Sequence, residues 1–326
     1  HTPRRRQRQM CIRDRGCAGN TGRSSDQGHV PCVLVRDNLH ELKGNLMYIP
    51  RAGLVMNGGS PRQWHYASSN SPLPLPDHPL LFTQRELISL DRTPNESTEG
   101  VLEGENLKAH VRRFGTQDML LDELLAADGS PLIEERRPIL LQGELANPYR
   151  LQEINIGTLP LFTVRLEGIC RTWADGLDPR DAYPGVHHVT LARTPGWWER
   201  SHIGLATRQQ LSVIREWLDN GVRSTWRPVK LAEGAVRFEH DAQLQPPDAS
   251  AVEWDGTTER VSQPAPAPTG PCISLDELLV VVHTRQGCYN HRGRLARCVH
   301  MQQRAFHEGL FRKGSSHRWS DVLTLR

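Results

Sequence analysis

The stretch LDELLAADGSPLIEERRPILLQGELANPYRLQEI, residues 121–154, decides the fold class. With Leu120, its leucines at 121, 124 and 125 form an apolar stripe at helical spacing, and Gly129 supplies the C′ residue that stops the helix. PILL (138–141) reads as a short buried strand. Asn147 then caps a second helix whose first residue is Pro148, a position where a missing N–H costs nothing. A strand–loop–helix junction of this kind points backbone N–H groups into the loop, a geometry suited to a carboxylate or phosphate.

Downstream, FTVRLEG alternates Phe162, Val164 and Leu166 with Thr163, Arg165 and Glu167, the pattern of a half-buried strand. HHVTLA (187–192) repeats it, and SHIGLA (201–206) reads as a third strand. In TRQQLSVIREWLDNG, Thr207 and Gln210 make a capping box, Leu211, Ile214 and Leu218 form the apolar face, and Asn220-Gly221 closes the helix. Residues 227–240 read as a hairpin. Ser274 and Glu277 read as another capping box, opening the C-terminal part. The order helix, strand, helix, strands, helix, strands lacks a βαβ rhythm and so predicts an α+β fold instead of a doubly wound sheet. The expected organisation has five parts: disordered residues 1–29, an N-terminal extension of strands and loops over 30–115, a central domain over 116–245, a Pro-rich linker over 246–271, and a C-terminal segment over 272–326.

Composition narrows the function classes. No apolar run approaches the roughly 20 residues of a membrane helix, so a soluble protein with no membrane partner is expected. Only four of the 40 basic residues are lysines (Lys43, Lys108, Lys230 and Lys313), and the arginines are scattered, unlike the clustered footprint of a nucleic-acid binder. Seven cysteines in 326 residues are odd in number and widely spread, which predicts reduced thiols in a cytoplasm, with no disulfide framework. RRQRQMCIRDR (5–15) is the one concentrated basic run. It back-translates, over eleven consecutive residues, to the adapter DNA of transposase-based sequencing libraries, so it is expected to be translated library sequence and Met10 no start codon. Leaving out its five arginines and one aspartate takes the formal charge from +3 to −1.

The stretch 121–154, together with HHVTLARTPG, a strand ending near His202, and LATRQQLSVIREW, resembles the γ-glutamylcyclotransferase-like family over about residues 120–235. The resemblance implies a small mixed β-barrel or sheet with flanking helices. It also implies an activity that cyclises a γ-glutamyl group to 5-oxoproline and releases the attached amine. Such chemistry needs no cofactor and takes a small γ-glutamyl amine or peptide as its partner. In this family a loop of backbone amides, usually Tyr-Gly-Ser-Asn, holds the γ-glutamyl part, and a buried glutamate moves a proton from the α-amine to the leaving nitrogen. Here the loop falls on Gln142, Gly143, Glu144 and Leu145, followed by Asn147, and only the glycine agrees. Glu144 would repel a substrate carboxylate. The position matching the glutamate is Leu218, which transfers no proton; Glu216 and Asp219 are the neighbouring candidates, each about 100° to 200° away on an ideal helix. The activity therefore requires a carboxylate facing the Gly143 loop across a pocket. The alternative is a catalytically inactive binding or scaffold protein of the same fold.

Three other constellations compete. Cys288, His291, Cys298 and His300 supply a zinc-compatible set, C-x2-H-x6-C-x-H, against ordinary surface histidines and buried cysteines. A Cys–His hydrolase would use Cys170 or Cys288, neither at a recognisable elbow or helix start. Trp197-Trp198 reads as a packing pair, with a ligand platform as the alternative.

Overall fold

The computed structural model describes residues 59–65, 73–92, 100–177, 187–219, 225–284, 288, 293–313 and 323–326. All of them fall in the compact unit Leu46–Arg326. The adapter-like stretch 5–15, the disorder expected over 1–29, the apolar pieces of 30–58 and His291 lie outside the described residues.

A 3₁₀ turn at Pro61–Trp64 precedes β1 (Leu80–Phe82), β2 (Leu87–Ser89) and β3 (Asp91–Arg92). β4 (Val101–Leu102), α1 (Gly104–Val111), β5 (Phe114–Gly115) and α2 (Leu121–Ala127) follow. β6 (Arg136–Leu141) passes through a 3₁₀ turn at Gly143–Ala146 into α3 (Pro148–Glu153). Two long strands come next, β7 (Leu159–Leu177) and β8 (His187–Thr207), then α4 (Arg208–Asp219). β9 (Trp226–Val229), β10 (Ala235–Phe238), β11 (Val252–Trp254) and β12 (Glu259–Val261) lead to β13 (Cys272–Ile273), β14 (Val280–His283) and α5 (Gln303–Lys313).

The helix signals act locally as their residue types dictate. In α2, Leu121 and Leu125 are fully buried, Glu123 takes the Leu120 N–H at 2.8 Å, and past Gly129 the Ser130 N–H returns to the Leu125 carbonyl at 2.9 Å. In α3 the Asn147 side-chain oxygen Oδ1 accepts from the Tyr149 and Arg150 N–H groups, with Pro148 at N1. Its amide nitrogen donates to the Trp64 and Pro74 carbonyls, so the cap also anchors the N-terminal turn. At the head of α4 the capping box is reciprocal: Thr207 N–H donates to Gln210 Oε1 at 2.9 Å, and Gln210 N–H to Thr207 Oγ1 at 3.2 Å.

The chain is a mixed α+β protein with a mostly sheet core and few helices, and the described strands do not close into a barrel. β7 lies at the centre. One edge pairs with β1 and then β10, and the other pairs with β8, which also carries β6. β13 extends the sheet beyond β10 and pairs in parallel with β4, so strands from the N-terminal extension, the central region and the C-terminal segment share it. The stretch 246–271 holds the β11–β12 hairpin. Phe114, Phe162 and Phe238 pack edge-on or tilted at 4.9 to 6.2 Å between ring centres, filling the core under β7. No helix among the described residues is long and apolar enough to cross a membrane.

Four local expectations are corrected. First, β8 runs unbroken through Pro195 and Gly196, where two strands were expected; Gly196 takes φ +76°, and an added Cβ would sit 2.9 Å from the Val261 carbonyl oxygen. Second, β7 is buried on both faces, because Thr163 and Arg165 bond the Glu239 and Pro266 carbonyls instead of water. Third, residues 227–240 form no hairpin: β9 pairs with β14, and β10 with β7 and β13. Fourth, Ser274 and Glu277 cap no helix of their own; they close a turn, and the Glu277 carboxylate accepts the Gly104 N–H at the head of α1.

His202, on β8, is buried; its Nε2–H donates to the Pro76 carbonyl at 2.7 Å, and burial lowers its pKa to about 3. The folded chain thus holds it neutral while the unfolded chain takes a proton below about pH 6.5. Its contribution is full above that pH and is lost as the pH falls from about 6.5 toward about 3. Urea unfolding should show about 2 kcal/mol lost through this residue between pH 6.5 and pH 5. The His202→Gln variant should lack that part of the slope; parallel curves would contradict the assignment.

Candidate functional site

The junction between β6 and α3 forms one wall of a pocket. Gly143 adopts φ +64°, and an ideal Cβ there would lie 2.9 Å from Val189 Cγ2, so both backbone and space demand glycine. Gln142 Nε2–H donates to the Val281 carbonyl at 2.9 Å, tying the end of β6 to β14. A carbonyl oxygen only accepts, so this contact fixes which end of the amide is which. Gln142 Oε1 is then left buried and without a hydrogen-bond partner. The Glu144 carboxylate accepts from Arg150 Nη2 at 2.9 Å and Nε at 3.2 Å, and the guanidinium lies 5.6 Å from the Trp217 ring centre. Its charge is therefore balanced inside the protein.

Gln142, Gly143, Glu144 and Leu145 all line this pocket, which encloses about 500 Å³ counting the part open to solvent. Asn147 does not; it is fully buried and spends its side chain on capping α3 and anchoring Trp64 and Pro74. The lining also includes Ile214, Trp217 and Leu218 of α4, with His187, His188 and Val189 of β8, Trp226 of β9 and Val281 of β14. Residues 142–145 and Leu218 thus line the same pocket.

The two carboxylate candidates do not line it. Glu216 is exposed on the outer face of α4. Asp219 accepts the Trp226 N–H at 3.2 Å and stands 3.9 Å from Arg215 Nε, which places it at the seam between α4 and β9. The inward position is held by Leu218, 7% exposed.

Histidines supply the pocket's remaining polarity. His188 stacks on His283 at 4.6 Å and 26°, and both rings meet Trp226 nearly edge-on. His187 Nδ1 contacts the Ala174 carbonyl at 2.9 Å, so that nitrogen carries hydrogen, and Nε2 faces His307 Nδ1 at 3.0 Å. In the neutral ring Nε2 accepts from His307. Sequence reasoning passed over His187, His188, Trp217, Trp226 and Val281. The doubled histidine at the start of an alternating strand was visible, but no local pattern says which strands will face it.

The described members of the other constellations are buried or half-buried, and His291 of the zinc-compatible set lies outside the described residues. Burial pushes the Cys170 thiol up to about 12, so it carries no thiolate near neutrality, and it contacts Thr194 Oγ1 at 3.3 Å. Cys288 is fully buried, and burial likewise raises the Cys298 thiol. His300 donates Nε2–H to the Pro247 carbonyl at 2.8 Å, and burial lowers its pKa. Among the described residues no group of three or more His, Cys, Asp or Glu side chains is placed to hold a metal ion. Trp197 and Trp198 are both 1% exposed: Arg297 covers Trp197 at 4.9 Å, and Trp198 donates to the Gln245 carbonyl. Nearby, Glu199 is buried against Arg171, and burial raises its pKa against the pull of that guanidinium.

Gly143→Ala should cost about 1–2 kcal/mol from the left-handed backbone alone, with the Val189 contact adding to it. A change of only a few tenths in urea unfolding would contradict this geometry. No family model matches the chain, and no curated protein or solved structure is significantly similar to it.

Proposed function

We propose that the protein is a small-molecule binding protein built on a γ-glutamylcyclotransferase-like plan, without the cyclising activity. One observation carries this reading: α4 lines the pocket of the Gly143 loop with Ile214, Trp217 and Leu218, while Glu216 is exposed and Asp219 is spent on the Trp226 N–H. Cyclisation requires a group that takes a proton from the attacking amine and delivers it to the leaving nitrogen. Leucine does neither. A largely apolar pocket holding a few fixed polar groups is the usual form of a small-molecule site.

A second reading keeps the activity and is favoured by one observation, the imidazole of His188 in the pocket lining. Histidine is the side chain whose ordinary pKa suits proton transfer near neutrality. A panel of γ-glutamyl amines assayed for 5-oxoproline separates the readings. The binding reading predicts release no faster than in buffer. The second predicts release that His188→Gln abolishes while Glu216→Gln and Asp219→Asn leave it intact. Loss of release in Glu216→Gln or Asp219→Asn would instead restore the carboxylate mechanism.

A further inference from the structure

Most buried polar groups in folded proteins find a partner. Among the described residues, two of the buried side-chain atoms without a hydrogen-bond partner belong to residues that line the pocket, Gln142 Oε1 and Trp226 Nε1. They are complementary: the glutamine oxygen only accepts, and the indole N–H only donates. Both are held on strand ends. Gln142 is clamped through Nε2 to Val281, and Trp226, 6% exposed, lies edge-on to the stacked His188 and His283 rings while its backbone N–H is held by Asp219. Apart from Glu144, His187 and His188, the rest of the lining is apolar or aromatic, including Ile139, Ile214, Trp217 and Leu218. No lysine or arginine is among the described lining residues, and the carboxylate of Glu144 is already balanced by Arg150. An anionic ligand would lose its hydration there without gaining a counter-ion.

Resting on the binding reading above, we infer that the pocket takes a neutral molecule with an apolar, planar body and an amide or lactam group. Its N–H donates to Gln142 Oε1 and its carbonyl accepts from Trp226 Nε1. A buried donor and acceptor left unpaired discriminate strongly against a ligand lacking the matching groups.

The test uses the full chain and four probes of similar size: benzamide, benzoate, benzylamine and toluene. Binding is followed by the indole N–H resonances of Trp217 and Trp226. Benzamide should bind at least about tenfold tighter than the other three, one hydrogen bond's worth. Trp226→Phe and Gln142→Met should each remove most of that preference, read as the ratio of benzamide to toluene affinity within the same variant. Circular dichroism and urea unfolding verify that both variants fold. If toluene, benzoate or benzylamine binds as well as benzamide, the amide class is wrong while the pocket reading stands. If benzamide binds with its preference intact in both variants, these two atoms are not its partners and the inference fails. If none of the four moves either indole resonance, the pocket reading itself is overturned.

Discussion

The amide of Gln210 joins three stretches of the chain that are otherwise far apart in sequence, at Arg136, at Ile156–Thr158 and at Thr207–Gln210. Its oxygen accepts from the Thr207 N–H and from Arg136 Nη1, and its nitrogen donates to the Ile156 and Thr158 carbonyls. Arg136 completes the knot: the same Nη1 reaches the Thr158 and Leu205 carbonyls, and Nε reaches Pro131. The start of β6, the start of β7, the end of β8, the head of α4 and the turn after α3 are thereby fixed to one another. Arg136 is 4% exposed, and burial lowers its pKa to about 10, a measure of how much hydration the guanidinium gave up. Polar atoms this deep are stabilising only when nearly all are paired. Here the carbonyls of Ile156, Thr158 and Leu205 each meet a donor from Gln210 or Arg136, and Arg136 Nη2 is the buried atom of the knot left without a hydrogen-bond partner.

The pocket depends on this knot. β6 leaves it and reaches Gln142 and Gly143 six residues later, and α4 leaves it and reaches Leu218 two turns later. The two walls are therefore set by elements that start from one rigid point, which favours a pre-formed site over one assembled on binding. What occupies the walls then decides the chemistry. The loop keeps its glycine, the helix presents leucine, and the polar atoms left over are those of a neutral hydrogen-bonding pair and of histidines.

Local signals were legible wherever a few neighbouring residues settle the matter. Gly129, Asn147-Pro148 and the Thr207–Gln210 pair each mark a helix end, and each acts there through contacts within four residues. Alternation in Phe162, Val164 and Leu166 revealed β7, but not that its other face is covered, because Thr163 and Arg165 look solvent-facing until the carbonyls of Glu239 and Pro266 arrive from afar. β8 hid its length for a related reason. Pro195-Gly196 is an ordinary break signal, and only the β7 partner and the Val261 backbone against Gly196 show why the strand continues. The loop half of the site was visible at residues 142–145 and the helix half at Leu218. The strand half, at His187, His188, Trp226 and Val281, was not, since sheet partners separated by about a hundred residues leave no local trace.

The Gln210 amide holds this junction together. Gln210→Met keeps the side-chain length and apolar stem while removing both hydrogen-bonding atoms, and equilibrium urea unfolding followed by tryptophan fluorescence measures the cost. The predicted loss is about 2–3 kcal/mol, because Arg136 and the strand-end carbonyls are left short of partners in the interior. A loss below about 0.5 kcal/mol, the size of an ordinary surface substitution, would contradict it.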